Sequence, residues 1–439
     1  MKRSLIVALL LIFSAASASP DAWARRQQTR ARQTPARGRV VVANDMPGAE
    51  LGAKINAADK QLGASPGEIL VRGGGVISTQ AVISPGHTLR FTAGTFRLET
   101  RSLWEGAILL KSDTAVVGAG WGTVIVEPPQ VGWTVFQSFE DIRSQPAHSG
   151  ATRGLSITDL KIKGANPAVE GGVRQTISLG NCRDCRVENV WLDGTGVIGV
   201  QAGGNGNAGN FADGVIIRKN LFTHVASQTV AVVNGRNIKI DSNTFKNSGR
   251  DTRMGMSPID IEPNNPTDIA QHIEITNNLI DSRGSTFPHG NGIIVQNGAG
   301  TRNFGPVLVA RNTIIGGELL PHVGGNIHTG IYVAGYTQDV RVEDNVITRV
   351  SHSGIRLQVS TRNYVARNKL TSTGTGGIPS FDVQDTTDSE IVDNIVSLDP
   401  NSPIGTRVIQ ETGTTSRNNR YRGNTDGRGP LAPMLLKRQ

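Results

Sequence analysis

Asn312-Thr-Ile314, then Gly330-Ile-Tyr-Val333, then Val340-Arg-Val342, then Asn345-Val-Ile347: one turn of a pattern has closed and the next has begun. The asparagine, followed two residues later by an aliphatic or aromatic residue, recurs at Asn220, Asn243, Asn278, Asn312, Asn345, Asn368 and Asn394. The intervals are 23, 35, 34, 33, 23 and 26 residues. A variable loop follows most of them. Then comes a short strand such as Gly292-Ile-Ile-Val295 or Gly354-Ile-Arg-Leu357, and a second alternating strand leads to the next asparagine. A fixed skeleton with variable loops is the rung of a solenoid. Because each rung holds strands alone, the chain is expected to be all-β, a parallel β-helix.

Alternation puts Ile293/Val295, Ile331/Val333 and Ile355/Leu357 on one face. No single rung buries that face alone; rungs stacked about 4.8 Å apart bury it against like residues above and below. The asparagine is expected in the tight bend between the second and third strands. It tolerates a left-handed backbone there, and its amide bonds to the asparagine of the next rung. Leu51, Ile55, Ala58 and Leu62 have helical spacing, which predicts a helix over 49–62 covering the open end of the solenoid. Pro430 to Leu436 is apolar and would cover the other end.

Lys2 and Arg3, the apolar run from Leu5 to Phe13 and Ala22-Trp-Ala24 read as an export signal over 1–24, too short to span a bilayer. The formal net charge is +9. The signal supplies +1 of it and the six arginines of residues 25–39 supply +6, which leaves +2 for 40–439. The folded body is therefore nearly neutral, which argues against nucleic acid as a partner. Residues 25–44 read as a basic disordered linker and 45–436 as the β-helix, with caps at 45–65 and 425–436. No membrane insertion is expected, and a monomer is. Cys182 and Cys185 are read as buried core cysteines, with a local disulfide as the alternative; two ligands do not make a zinc site.

The outward positions of the strand after the variable loop interleave with the core. Aligned on core residues, they read Gly199/Gln201, Ala231/Val233, Asp260/Glu262, Ile294/Gln296, Tyr332/Ala334, Arg356/Gln358 and Asp382/Gln384. Flat sheets with adaptable polar side chains suit an extended polysaccharide. The loops over 250–257, 281–291 and 316–329 would wall a groove there. Asp260 and Glu262 stand roughly 6.5–7 Å apart at Cα. Such a pair suits inverting glycoside hydrolysis, with a water between the carboxyls, or a divalent cation, Ca2+ being the cofactor such hard oxygens would take. His328 and His352 each precede a core isoleucine by three residues, and His289 lies near the same rim; each is a candidate acid or base. Gln296, Tyr332, Arg356, Gln358 and Asp382 are candidate substrate-binding residues. Arg356 either grips a uronate carboxylate by two hydrogen bonds or pairs with Asp382 on the next rung.

From about residue 45 the chain resembles the pectin-lyase-like superfamily of right-handed parallel β-helices. The resemblance rests on the Asn-x-aliphatic rungs, the Gly-Ile-x-Val strands and the Leu51-Gly-Ala-Lys-Ile55 helix. It implies a single-stranded right-handed β-helix with an N-terminal capping helix. It also implies an active site on the outward strand face, which raises the standing of Asp260, Glu262, Tyr332 and Arg356. The superfamily holds polysaccharide lyases, polygalacturonase-type hydrolases, uronan epimerases, phage tailspikes and non-catalytic surface proteins. No one activity set is matched. Val190-Trp-Leu-Asp-Gly194 is similar to a pectate lyase segment but has Gly194 where that segment has histidine; Pro288-His-Gly-Asn-Gly292 echoes one part of the hydrolase set, and the epimerase Asp-Pro-His is absent. The expectation is a secreted enzyme acting on an extended, uronate-containing or neutral polysaccharide, with lyase and hydrolase chemistry both open. A non-catalytic glycan-binding or cell-surface β-helix is the alternative.

Overall fold

An asparagine amide has two donors and a two-lone-pair acceptor, and a stacked rung offers partners for all of them. In the computed structural model, Asn220, Asn243, Asn278, Asn312, Asn345, Asn368, Asn394 and an eighth, Asn424, occupy consecutive rungs. Each of the first seven donates through Nδ2 to Oδ1 of the next at 2.9–3.0 Å. The backbone N–H of the same residue donates to that same oxygen. The second amide hydrogen goes to a carbonyl of the preceding rung, Ile275 for Asn312 and Val309 for Asn345. All eight asparagines are buried.

The left-handed residue is not the asparagine, as the sequence suggested, but the one before it. Lys219, Ser242, Asn277, Arg311, Asp344, Arg367 and Asp393 have φ of 54–57°, and Gly423 has 66°. The asparagine must aim its amide inward along the stack and lead straight into a strand, so the sharp reversal falls on the exposed residue ahead of it. For a side chain with a Cβ that conformation costs about 1–2 kcal/mol.

The structure describes residues 38–99, 106–128, 134–141, 150–164, 175–204, 210–248, 257–283, 289–316, 327–374, 378–398, 408–426 and 434–435. Their strands pair in parallel into one 13-stranded sheet and one 26-stranded sheet. Like residues stack inside. Val200, Val230, Ile259, Ile293, Ile331, Ile355, Phe381 and Ile409 form one continuous column of the 13-stranded sheet. Each is no more than 2% exposed, and burying one such side chain contributes about 1.5–3 kcal/mol. The residue two after each asparagine heads a second column, in which Phe222 and Phe245 stack at 4.9 Å between centroids. Gly292, Gly330 and Gly354 stack at the entrance of the first column. A Cβ on Gly330 would lie 2.6 Å from both the Gly354 carbonyl oxygen and Ile347 Cγ2, so the repeated Gly-Ile start is a packing requirement.

The helix Leu51–Leu62 buries Leu51, Ile55, Ala58 and Leu62 over the first rungs, as its spacing predicted. The Glu50 carboxylate caps it by accepting from the N–H groups of Gly52 and Ala53, and a third bond from Ser78 N–H ties the cap to the sheet. A buried contact, His87 Nδ1 to Asp59 Oδ1 at 2.7 Å, pins the helix to the strand His87–Leu98. The strand Arg39–Val42 pairs with Gly67–Leu70, so order begins inside the stretch read as linker. Its Val40-Val41-Val42 run is strand-forming sequence that the arginine-rich context had masked. At the far end Met434 and Leu435 pair with Gln410 and Glu411; most of the predicted C-terminal cap, like residues 1–37, lies outside the described residues. Cys182 and Cys185 form a disulfide rather than a pair of core thiols. The left-handed turns at Asn181 and Asp184 bring their Cα atoms to 6.2 Å, within bridging range. No helix among the described residues is long and apolar enough to cross a membrane.

Candidate functional site

The outward face of the 13-stranded sheet carries two polar columns. One runs Gln137, Ser178, Gln201, Ala231, Asp260, Ile294, Tyr332, Arg356, Asp382 and Gln410. The other, two residues further along each strand, includes Gln296, Ala334, Gln358, Gln384 and Thr412, with Val233 and Glu262 in the rungs before them. The alignment read from sequence holds from Ala231 onward. One rung earlier it is off by two residues: Gln201, not Gly199, pairs with Ala231.

Asp260 lies in its column between Ala231 and Ile294, two apolar side chains themselves 3% and 7% exposed, and is only 3% exposed. Glu262 is half-buried. Gln228, in the turn before the strand Val230–Val232, joins them. Its Nε2 donates to Asp260 Oδ2 at 2.7 Å and to Glu262 Oε2 at 3.2 Å. Burial, and then the neighbouring Glu262 charge, push the Asp260 carboxyl well above the usual carboxylate range; the Gln228 and Gln296 amides oppose this and lose. Burial also pushes Glu262 up, against the Gln228 amide. Asp260 Oδ1 is buried with no hydrogen bond of good geometry. A buried carboxyl of raised proton affinity beside a more exposed carboxyl is an acid–base pair in form.

This geometry replaces the spacing argument from Cα positions. The two oxygens that share the Gln228 donor lie within about 6 Å of each other and the two carboxyls interact directly, short of the roughly 6.5–9.5 Å that admits a water between them. Calcium does not fit the pair. An N–H donor already points at both carboxyls, and no cluster of three His, Cys, Asp or Glu side chains occurs among the described residues.

A second cluster begins two rungs, about 10 Å, further along. The Tyr332 hydroxyl donates to Gln358 Oε1. Arg356 Nε lies 3.1 Å from Asp382 Oδ2, an ion pair without a well-aligned hydrogen bond, and its Nη2 donates to Gln384 Oε1 at 3.2 Å. Gln358 Nε2 donates to the same Gln384 oxygen at 3.2 Å. The Arg356 guanidinium sits 5.3 Å from the Tyr332 ring centroid. Of the two roles foreseen for Arg356, the structure has the pairing with Asp382. Burial pushes the Asp382 carboxyl up more than Arg356 pulls it down. Burial likewise raises the Tyr332 hydroxyl.

His352 lies three rungs from Asp260, about 14 Å, too far to exchange a proton with it directly. In the strands, His289 pairs with Ile327 rather than with His328. The side chains of His289 and His328 lie outside the described residues, as do most of the loops foreseen as groove walls. Gln228 was missed from sequence. It sits in a turn, outside the alternation that identifies outward positions, and only the stacking of that turn on Ser257-Pro258 brings it to the pair.

A family model described as right-handed β-helix region matches residues 148–378 and 267–429, together well over half of the chain. No curated protein sequence matches. Among solved structures, the A-module of the mannuronan C-5 epimerase AlgE4 of Azotobacter vinelandii is similar with a TM-score of 0.57 at 15% identity, over 88% of this chain and 95% of that one. The tailspike protein of E. coli bacteriophage HK620, solved with a pentasaccharide, gives 0.56 at 16% identity over 86% of this chain; this chain covers 64% of the tailspike. The catalytic unit of a GH87 α-1,3-glucanase from Streptomyces thermodiastaticus gives 0.56 at 14% identity, over 89% and 69%. At these identities the likeness is one of fold. The asparagine ladder, the stacked aliphatic columns and the matched family model agree: the chain belongs to the right-handed β-helix family.

Proposed function

We propose that the chain is an exported polysaccharide-processing enzyme of hydrolytic type, with Asp260 and Glu262 as its catalytic pair. The observation that carries the reading is Gln228 bridging two carboxyls whose proton affinities are both raised, on the outward face of a sheet whose other rungs there carry amides, a tyrosine and an ion pair. What suits Asp260 to donate a proton is not burial alone but the second, more exposed carboxyl that shares its Gln228 donor on the outward face. Asp260 protonates the glycosidic oxygen as the bond breaks. Glu262, closer to solvent, carries the negative charge that attacks the sugar carbon or stabilises its developing positive charge; a water, giving its proton to the Asp260 carboxylate left by the first step, then attacks that carbon, releases the second sugar end and restores both groups. The Gln228 amide holds the two carboxyls in register through both states. Tyr332, Gln358 and Gln384, in the rungs beyond, offer an aromatic face and amides to the hydroxyls of neighbouring sugar units. The three structural relatives named above are an epimerase, a glucanase and a tailspike solved with a pentasaccharide, which supports a saccharide ligand for this groove. The signal-like segment 1–24 supports export.

The test is product analysis on a panel of polysaccharides. New reducing ends without an unsaturated, ultraviolet-absorbing product support hydrolysis. An unsaturated product overturns it in favour of elimination. Glycan binding without turnover leaves the non-catalytic alternative.

A further inference from the structure

The second cluster is electrostatically closed. Among the described residues of the two outward columns from Asp260 to Gln410 there is one cation, Arg356, and its counter-ion is built in one rung away. The polar groups around it also satisfy one another. Gln384 Oε1 accepts from both Arg356 and Gln358, and Gln358 Oε1 accepts from Tyr332. Arg356 keeps 32% of its side chain exposed and Asp382 16%, so both are open to solvent on the outward face of the sheet. A sugar hydroxyl can accept from the free N–H groups of such a pair without penalty. A uronate carboxylate reaching for the same guanidinium must bring its charge up against the Asp382 carboxylate, and like charges at that range repel strongly when partly desolvated.

We propose that Asp382 is a specificity-determining residue: by neutralising Arg356 in place, it fits the groove to a neutral polysaccharide and turns polyuronates away. This rests on the reading of the groove as a polysaccharide site and narrows the substrate class within it. Asp382 makes the choice by holding a partner, so removing its charge should convert the specificity rather than simply weaken binding.

The experiment uses the full mature chain and matched polymers: an α-glucan, a β-glucan and a mannan, each beside the same polymer oxidised at C6 to the uronate. Affinity is measured for wild type, Asp382→Asn and Arg356→Gln. Wild type is expected to prefer the neutral member of the pair it binds by about tenfold or more, the scale of one charge-assisted hydrogen bond. Asp382→Asn, which keeps shape and frees the guanidinium, is expected to erase or reverse that preference by strengthening the uronate member. Arg356→Gln is expected not to strengthen it. The inference is overturned if wild type prefers the uronate member, or if Asp382→Asn leaves the ratio unmoved. Either result, with turnover still dependent on Asp260, leaves the enzymatic reading standing. Absence of binding to every polymer removes both.

Discussion

The Asn312 side-chain amide donates to Asn345 Oδ1 one rung on at 3.0 Å, and the Asn312 backbone N–H donates to that same oxygen at 2.9 Å. One side chain thus satisfies a bend that has no strand partner of its own. Replacing Asn312 with alanine strands the Asn278 backbone N–H and the Ile275 carbonyl at once, both buried. Each stranded group costs about 1–3 kcal/mol. Asn312→Ala is therefore expected to lower stability by roughly 3 kcal/mol or more in chemical denaturation. The same change at Asn424 strands the Asn394 backbone N–H and the Ile391 carbonyl in the same way and should cost about as much. Equal, small losses at both positions would show that the ladder is decoration rather than support.

The left-handed residue ahead of each asparagine makes a separate prediction. Ser242, at φ 57°, is exposed. Ser242→Gly relieves Cβ strain but adds freedom to the unfolded chain, two terms of about 1 kcal/mol each with opposite sign. Its melting temperature should stay close to that of wild type. Ser242→Val forces a β-branched side chain into the same conformation and should destabilise clearly. A valine variant as stable as the glycine variant would mean that the bend is placed differently.

Glu127 gives the fold a pH dependence. It is 3% exposed; the Thr176 hydroxyl donates to it at 3.1 Å, and this bond and one from the Gly196 backbone favour its charge without offsetting burial. Burial pushes its carboxyl from 4.5 up to about 8. Below pH 4.5 folded and unfolded chains both hold the proton, so this group contributes nothing. Between 4.5 and about 8 the unfolded chain has released it and the folded chain has not, so stability falls as pH rises. By pH 8 and above the accumulated loss is on the order of 4–5 kcal/mol. Glu127→Gln should flatten the stability profile over that window and raise the melting temperature at pH 8. An unchanged slope would place the proton elsewhere.

The sequence revealed the rungs because solenoid stacking repeats the same demand on the same residue types. Alternation was enough to put Asp260, Glu262, Tyr332, Arg356 and Asp382 on one face, because parity survives any change in loop length. What was hidden depended on turns. Gln228 reaches the carboxyl pair from a bend that no period describes. The Gly199 alignment slipped because the loop before that rung offers no anchor of the Gly-Ile-x-Val kind. The left-handed conformation fell one residue early because the bend is set by where the asparagine must point, not by what its backbone tolerates. The Cys182–Cys185 bridge depended on two left-handed turns that spacing alone does not reveal.

The carboxyl pair is the central claim, and two isosteric substitutions test it most directly. Asp260→Asn and Glu262→Gln keep size and hydrogen-bonding capacity but remove the proton. Because burial disfavours the Asp260 charge, Asp260→Asn should leave the melting temperature at neutral pH unchanged or raised while turnover of the polysaccharide identified on the panel is lost. Asp388→Asn is the control: Asp388 is an exposed carboxylate in a turn outside the groove columns, accepting from Asn418 Nδ2 at 2.9 Å. The measurement is initial rate for the three variants beside wild type, with folding checked on the same samples. The prediction is a loss of at least about a hundredfold, the usual scale of acid–base catalysis, in both site variants and near-wild-type rate in the control. Wild-type rate in either site variant would contradict the assignment of Asp260 and Glu262 as the catalytic pair.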